Sequence, residues 1–179
     1  ALSSAASDVY KRQTKHFDDF TALKEISCTI REGCIYGMVG SNGAGKSTLL
    51  RLISGVYRPD GGRITIEGQP VWENPEIKQR MVYVPDDLYF LPGASISRME
   101  ALYARAYPQF DHERCRQLVQ AFRLDPHKPV AAFSKGMRRQ AACILAISCR
   151  PQYLFFDETF DGLDPVMRRL VKNLICRDV

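Results

Sequence analysis

The sequence lacks a hydrophobic run long enough to cross a lipid bilayer. Its longest apolar stretch, residues 141–149, has nine residues, whereas a membrane-spanning helix needs about 18. It also lacks a strong excess of one charge, because 25 Lys and Arg against 20 Asp and Glu give a net charge of only +5. We therefore expect no membrane-spanning helix and no direct binding of nucleic acid driven by charge.

Cysteine pairs of the C-x-x-C type are also absent, and the chain has only three histidines. Zinc sites of the usual spacing are thereby excluded. Several of the cysteines lie in apolar runs, which predicts buried free thiols in a reducing compartment. The six cysteines are Cys28, Cys34, Cys115, Cys143, Cys149 and Cys176.

Length and composition are those of one folded globular domain, with 45% hydrophobic and 25% charged residues over 179 positions. The first thirteen residues, ALSSAASDVYKRQ, show no periodicity. Residues 3–13 can be encoded by DNA that resembles a transposase adapter used in preparing sequencing libraries. We predict a non-native leader over residues 1–13 and native sequence from near Thr14; the alternative is a short disordered leader.

A glycine-rich segment carries the first chemical signal. Residues 34–39 (CIYGMV) predict a short buried strand, and they lead into residues 40–48 (GSNGAGKST) and a helix-like stretch. Strand, G-x-x-x-x-G-K-[ST] and helix in this order indicate a phosphate-binding loop, whose glycines let backbone N–H groups turn towards an anion. Lys46 would reach the β- and γ-phosphates and the Ser47 hydroxyl would bind Mg²⁺. We therefore expect the chain to bind a nucleoside triphosphate.

A pair of carboxylates follows a second hydrophobic run. Tyr153–Phe156 predicts a buried strand that ends at Asp157 and Glu158. An acidic residue in this position can face a phosphate loop from the neighbouring strand of a parallel sheet, although such a pair alone is equally typical of a helix cap or a surface. We interpret Asp157 as a Mg²⁺ ligand and Glu158 as the general base that polarises the attacking water.

The rest of the chain predicts strands and helices around these motifs. Residues 22–30 and 62–67 alternate as strands of an antiparallel flank. Residues 97–148 have a helical pattern, with Ser97 opening a capping box and Asp111 capping a second helix. Pro165 fits the first turn of a final helix over residues 166–176.

With these motifs in this order, residues 14–179 resemble the ATP-binding cassette of ABC transporters. Residues 133–140 (FSKGMRRQ) are similar to the family's LSGGQ signature and match it at Ser134 and Gly136, and residues 162–165 (GLDP) match its D-loop. The resemblance implies an α/β fold, with a P-loop NTPase core, a mostly parallel sheet, an antiparallel β flank and an inserted helical subdomain at about residues 95–150.

The resemblance also implies ATP and Mg²⁺ as cofactors, with Lys46 and Glu158 as catalytic residues. Phe17 takes the place of the aromatic residue that stacks on adenine, which we favour over the alternative that it is part of the core. Asp164 is expected at the seam of a dimer, in which the signature of one subunit meets the γ-phosphate bound to the other. The residues implied to contact the nucleotide are Phe17, Gly40, Ser41, Asn42, Gly43, Ala44, Gly45, Lys46, Ser47, Thr48, Ser134, Gly136 and Asp164. The residues implied to hold the metal are Ser47, Asp157 and Asp86.

The sequence departs from the family pattern at two places that bear on activity. Asp86 stands where the family has the Q-loop glutamine, and it would add a negative charge beside a triphosphate. The family's switch histidine should lie at the end of the next strand, which falls beyond Val179. We therefore predict that the chain is truncated at its C-terminal end and that this fragment alone hydrolyses ATP weakly.

The resemblance implies the nucleotide-binding subunit of an ABC transporter, most similar to bacterial cassettes of the exporter kind. ATP would close a head-to-tail dimer with a second ATP-binding subunit and power a separate transmembrane permease, with the protein cytoplasmic and peripheral on the inner face of the membrane. One alternative is a soluble ABC ATPase acting on ribosomes or nucleic acid. Another is a regulator that binds the nucleotide without hydrolysing it.

Overall fold

The structure of the protein, a computed structural model, describes residues 7–31, 33–159, 165, 168, 169 and 171–173. The chain divides into two compact units, Ala1–Lys78 with Val179 and Gln79–Asp178. None of the described helices is long and apolar enough to cross a membrane.

The first unit is an antiparallel sheet with two helices. Its elements in chain order are β1 (Ser7–Phe17), β2 (Phe20–Arg31), α1 (Lys46–Ile53), β3 (Gly61–Ile66), β4 (Gln69–Pro70) and α2 (Pro75–Lys78). The strands pair in the order β2-β1-β3-β4, all antiparallel. This pairing confirms the antiparallel flank predicted from residues 22–30 and 62–67.

Residues 7–13, which belong to the predicted leader, form the first seven of the eleven residues of β1. Ser7 pairs with Arg31 of β2, and Gln13 is fully buried. Thr14, where native sequence is predicted to begin, pairs with Gly61 of β3. The origin of residues 1–13 stays a prediction, and residues 1–6 lie outside the described part of the chain.

The strand predicted at residues 34–39 is wrong. Residues 34–41 have no regular secondary structure, and Val39 is 98% exposed. A strand needs a neighbour with which to exchange backbone hydrogen bonds, and among the described residues of this unit the ladders are made by β1–β4. The apolar run alone therefore does not produce a strand here.

In the part of the chain that the structure describes, the second unit combines a pair of parallel strands with helices. Its elements in chain order are β5 (Met81–Val84), α3 (Ile96–Ala106), α4 (His112–Ala121), a short 3-10 helix (Val130–Ala132), α5 (Lys135–Ser148) and β6 (Tyr153–Phe156). β5 and β6 pair in parallel, from Met81 opposite Tyr153 to Val84 opposite Phe156. The strand predicted at Tyr153–Phe156 is confirmed at its bounds, although its residues are only partly buried. Helices α3, α4 and α5 lie between residues 95 and 150.

The helix starts show where local sequence was sufficient. Asp111 caps α4 as predicted, with its carboxylate accepting from a backbone N–H of the first turn. The predicted cap at Ser97 is wrong, because Ser95 has the extended backbone of a cap and accepts from the Arg98 N–H. Ser97 instead donates its hydroxyl to the Pro126 carbonyl at 3.1 Å.

The core of the second unit forms around α5, in which every residue from 139 to 148 is buried. Ala141, Ile144 and Leu145 belong to this core, while Met137 is only partly buried. On α3, Met99 is buried, whereas Leu102 is 44% exposed.

Three cysteine thiols are buried in the second unit, as predicted. Burial raises the pKa of Cys115 to about 11 and the pKa of Cys143 and Cys149 to about 12. These thiols therefore stay protonated at neutral pH and are unreactive. Cys28 is partly buried and Cys34 is exposed, and Cys176 lies outside the described residues.

Candidate nucleotide-binding and hydrolysis residues

The phosphate loop lies in the first unit and ends where α1 begins. Gly43 and Gly45 both have left-handed backbones, with φ of +82° and +83°. The Ala44 N–H donates to the Ser41 carbonyl at 3.2 Å, which closes the turn. Gly45 precedes α1 and has no side chain with which to cap it. An acceptor for the first N–H groups of α1 must come from elsewhere, and a phosphate is suited to this position.

Lys46 folds back over this loop. Its Nζ donates to the carbonyls of Gly40 at 2.8 Å and Ser41 at 2.9 Å. An ammonium group has three donors, so these two bonds hold it at the loop. A phosphate oxygen entering the loop would meet a positive charge that is already in place.

Gly45 is required by its surroundings as well as by its backbone. A Cβ at this position would lie 2.7 Å from Leu23 Cδ2 and 2.9 Å from the Ala22 carbonyl oxygen. Gly43 has nearly the same φ, but a Cβ there would meet nothing within 4 Å. The two glycines therefore separate the effect of steric overlap from that of backbone strain.

We expect Gly45→Ala to lower the free energy of unfolding by about 2–5 kcal/mol, of which about 1–2 is backbone strain and about 1–3 is steric overlap. It should also weaken nucleotide binding, because the loop must shift away from β2. Gly43→Ala is the matched control, since it adds the same methyl group in open space and costs only about 1–2 kcal/mol of backbone strain. Denaturant unfolding and titration with a fluorescent ATP analogue would measure both effects. Equal losses of binding in the two variants would contradict the steric argument.

Phe17 is the last residue of β1, and its side chain is partly exposed. It is 40% exposed, and its ring packs edge-on against Tyr57 at 5.6 Å between centroids. The Lys15 ammonium lies 5.4 Å from the ring centre. The Asp60 carboxylate accepts hydrogen bonds from the His16 backbone N–H and the Lys15 ammonium, and so fixes the end of β1. The same two bonds hold the pKa of Asp60 below its usual value. The predicted contact of Phe17 with adenine stays a proposal.

The carboxylate pair lies in the second unit, directly after β6. Asp157 is 3% exposed, and its N–H donates to the Val84 carbonyl at the end of β5. The Tyr83 hydroxyl donates to Asp157 Oδ2 at 2.9 Å. Thr159 is also buried, with its hydroxyl 3.3 Å from the carbonyls of Val84 and Asp157. The parallel register of the two strands thus fixes the Asp157 carboxylate beside the end of β5.

Glu158 has an exposed side chain on a constrained backbone. Its φ is +49°, a left-handed value that costs a non-glycine residue about 1–3 kcal/mol. Its carbonyl accepts a hydrogen bond from Arg139 of α5 at 2.6 Å. The Glu158 carboxylate is accessible to solvent or substrate, while its backbone is held by the hydrogen bond from Arg139.

Arg139 also links Asp86 to the carboxylate pair, because it bonds both Asp86 and the Glu158 carbonyl. Its Oδ1 is 2.6 Å from a guanidinium nitrogen of Arg139, in an ion pair whose arginine side chain is 4% exposed and whose aspartate side chain is 52% exposed. The predicted role of Asp86 as a metal ligand is untested. The structure gives its carboxylate a different partner.

The signature residues lie at the start of α5. Ser134 caps the helix, and its hydroxyl accepts from the Met137 N–H at 3.2 Å. Gly136 occupies the second position of the helix. Asp164 lies outside the described residues, and so does most of the predicted final helix, although Pro165 is helical.

Sequence reasoning missed three residues that the second unit brings together at the carboxylates: Tyr83, Arg139 and Thr159. In the sequence, Arg139 stands beside Arg138 in a short cationic pair, and Thr159 follows the carboxylate pair without a chemical signal of its own. The one local signal is that Arg139 lies close to the apolar stretch that makes up most of the rest of α5. A basic residue in such a position is buried only if it is paired.

Comparison with known proteins places these features in a family. The model of the ABC transporter family matches residues 23–161. The ABC transporter ATP-binding protein YtrB of Bacillus subtilis is 31% identical over 169 residues, covering 94% of this chain and 58% of that protein. The Nod factor export ATP-binding protein I of Sinorhizobium fredii is 33% identical over 180 residues, covering 96% of this chain and 52% of that protein.

A solved structure of the ATP-binding subunit of an ABC transporter superposes with a TM-score of 0.87 at 26% identity, covering 96% of this chain and 74% of that one. The fold is therefore the α/β P-loop NTPase fold of ABC ATPases. The chain spans only about half the length of the curated relatives named above. The matched residues include both the phosphate loop and the carboxylate pair, and on this basis the chain belongs to the ABC transporter family.

Proposed function

We propose that this chain is the ATP-binding and hydrolysing part of an ABC transporter subunit, peripheral on the cytoplasmic face of the membrane. It would pair head-to-tail with a second ATP-binding subunit and drive a separate transmembrane permease. The observation that carries this proposal is the phosphate loop, whose left-handed glycines place the Lys46 ammonium against the carbonyls of Gly40 and Ser41. The relatives named above are transporter subunits, which favours this function over a soluble ATPase acting on ribosomes.

The residues present fit ATP and Mg²⁺. Lys46 supplies a positive charge at the loop, and the start of α1 supplies N–H donors for phosphate oxygens. Ser47 and Asp157 would hold Mg²⁺, which prefers oxygen ligands of these kinds. When bound, the metal neutralises negative charge on the phosphate oxygens.

Glu158 is the residue proposed to act on water. Its side chain is exposed, and its backbone is fixed between the buried residues Asp157 and Thr159. A carboxylate held in this way can accept a proton from a water molecule as that water attacks the γ-phosphate. Phe17 would contact the adenine, and Ser134, Gly136 and Asp164 would meet the nucleotide bound to the partner subunit.

Mixing two inactive variants tests the head-to-tail arrangement. Lys46→Ala disables the phosphate loop, and Gly136→Asp puts a negative charge where the signature would meet the γ-phosphate. Aspartate is favoured in the first turn of a helix, so Gly136→Asp should keep α5 folded. In a mixed dimer, one site combines an intact loop with an intact signature.

We expect each variant alone to be inactive and a 1:1 mixture to recover about a quarter of the wild-type ATPase rate, because half of the dimers are mixed and each has one complete site. Gly136→Ala is the control for substitution at this position and should retain activity. A mixture that stays inactive, although both variants remain folded, would rule out a site shared between subunits.

A further inference from the structure

Arg139 joins three parts of the second unit through one side chain. It lies in the second turn of α5 and is 3% exposed. One guanidinium nitrogen donates to Asp86 Oδ1 and the other to the Glu158 carbonyl, each at 2.6 Å. A guanidinium group cannot lose its charge in a protein, so its burial requires these partners.

The two partners come from the ends of the paired strands. Asp86 follows β5 by two residues, and Glu158 follows β6 by two residues. Their register is parallel, with Val84 opposite Phe156. The fork of the arginine matches this spacing, because its two nitrogens point in fixed, nearly parallel directions.

Each of the two contacts of Arg139 offsets an unfavourable local feature, a negative charge at Asp86 and a strained backbone at Glu158. The Asp86 carboxylate adds a negative charge where the family has a neutral glutamine, and Arg139 neutralises it. The Glu158 backbone has a left-handed φ of +49°, and the bond from Arg139 to its carbonyl holds it in that conformation. Removing either contact would free the backbone from which the Glu158 carboxylate extends.

We propose that Arg139 is a positioning residue, and that Asp86 in this chain anchors Arg139 instead of binding the metal. The pair sets the position of the Glu158 carboxylate, so the inference rests on the proposed role of Glu158 as general base. Asp86 and Arg139 would then act as a unit, and the loss of either partner would disturb the same backbone.

A double-mutant cycle on kcat in the full-length protein tests this unit. We expect Asp86→Ala and Arg139→Met each to lower kcat on the order of 10²-fold, since a shift of about 1 Å in a reacting group has this effect. The double variant should lose about as much as the worse single variant, and not the product of the two losses. KM for ATP should stay near its wild-type value in all three. Independent, multiplying losses would overturn the proposal.

Metal affinity supplies a measurement that does not depend on turnover. In a Glu158→Gln background, the Mg²⁺ concentration that half-saturates binding of a fluorescent ATP analogue should be unchanged by Asp86→Ala. If Asp86 were itself a metal ligand, that concentration would rise on the order of 10-fold or more. Such a rise would overturn the assignment of Asp86 as an anchor.

Two neighbours serve as matched controls. Arg138→Met removes the same charge from the exposed side of α5, and Asp87→Asn removes the next carboxylate in the chain, which is also exposed. Both should keep wild-type kcat. If Arg139→Met does not fold, Asp86→Ala alone decides, because Asp86 is half exposed: wild-type kcat in that variant would overturn the proposal.

The failure of this inference can be told apart from the failure of the proposed function. If the wild-type protein hydrolyses ATP and Glu158→Gln does not, the proposed function stands, and the Asp86 and Arg139 variants test the positioning role alone. If Glu158→Gln hydrolyses ATP at the wild-type rate, the general base is wrong and the inference falls with it.

Discussion

Replacing Lys46 with alanine should abolish ATP binding at concentrations that saturate the wild-type protein. The Nζ atom lies against the carbonyls of Gly40 and Ser41, which places its charge at the loop before any ligand arrives. A hydrogen bond to a charged group contributes about 1.5–3 kcal/mol, and Lys46 would make such bonds to two phosphates. We therefore expect affinity to fall by at least about 10²-fold, measured by calorimetric titration with ATP.

The same substitution should leave stability nearly unchanged. The two carbonyls that Lys46 contacts belong to exposed residues, so water can replace the ammonium as their donor. Lys24→Ala is the matched control, because it removes an exposed lysine from β2 of the same unit. Unaltered affinity in Lys46→Ala would contradict the assignment of residues 40–48 as a phosphate loop.

Glu158→Gln should keep ATP bound and lower its hydrolysis on the order of 10²–10⁴-fold, the usual effect of losing a general base. Glutamine has the shape of glutamate but cannot accept the proton. The substitution leaves the backbone carbonyl that Arg139 holds, so the site should stay assembled. Since ATP would persist between the subunits, the closed dimer should accumulate and elute earlier than the monomer in size-exclusion chromatography with ATP.

Single-turnover hydrolysis is the measurement that decides the role of Glu158. The matched control is Glu113→Gln on α4, where the exposed carboxylate contacts Arg116 and Gln117 of the same helix. If Glu158→Gln and the wild-type protein hydrolyse ATP at the same slow rate, the protein is better described as a regulator that binds nucleotide. Fast hydrolysis by both would instead require a different general base.

Several elements followed from local sequence alone. The bounds of β6 match the apolar run at Tyr153–Phe156, because this run is short and is bounded by the polar residues Gln152 and Asp157. The Asp111 cap also depends only on residues within one turn. Such features could be predicted because the interacting groups are neighbours along the chain.

Two expectations failed because a distant partner decides them. Residues 34–39 have the composition of a buried strand, but no ladder of their unit includes them. Ser95 and Ser97 both have side chains that can cap a helix. Ser95 caps α3, because the Ser97 hydroxyl instead donates to the Pro126 carbonyl, which is 29 residues away in sequence.

The sequence by itself determined the chemistry of the two motifs, since the glycines and Lys46 of the loop and the carboxylates of Asp157 and Glu158 are set by residue type and spacing. Only the tertiary structure decided that Asp86 pairs with Arg139, 53 residues away, and that Arg139 holds the Glu158 carbonyl, 19 residues away. The physical reason is that the parallel pairing of β5 with β6, and the packing of α5 within the same unit, bring these groups together. A local sequence pattern cannot predict that Arg139 pairs with Asp86, because the two residues are brought together only by the fold.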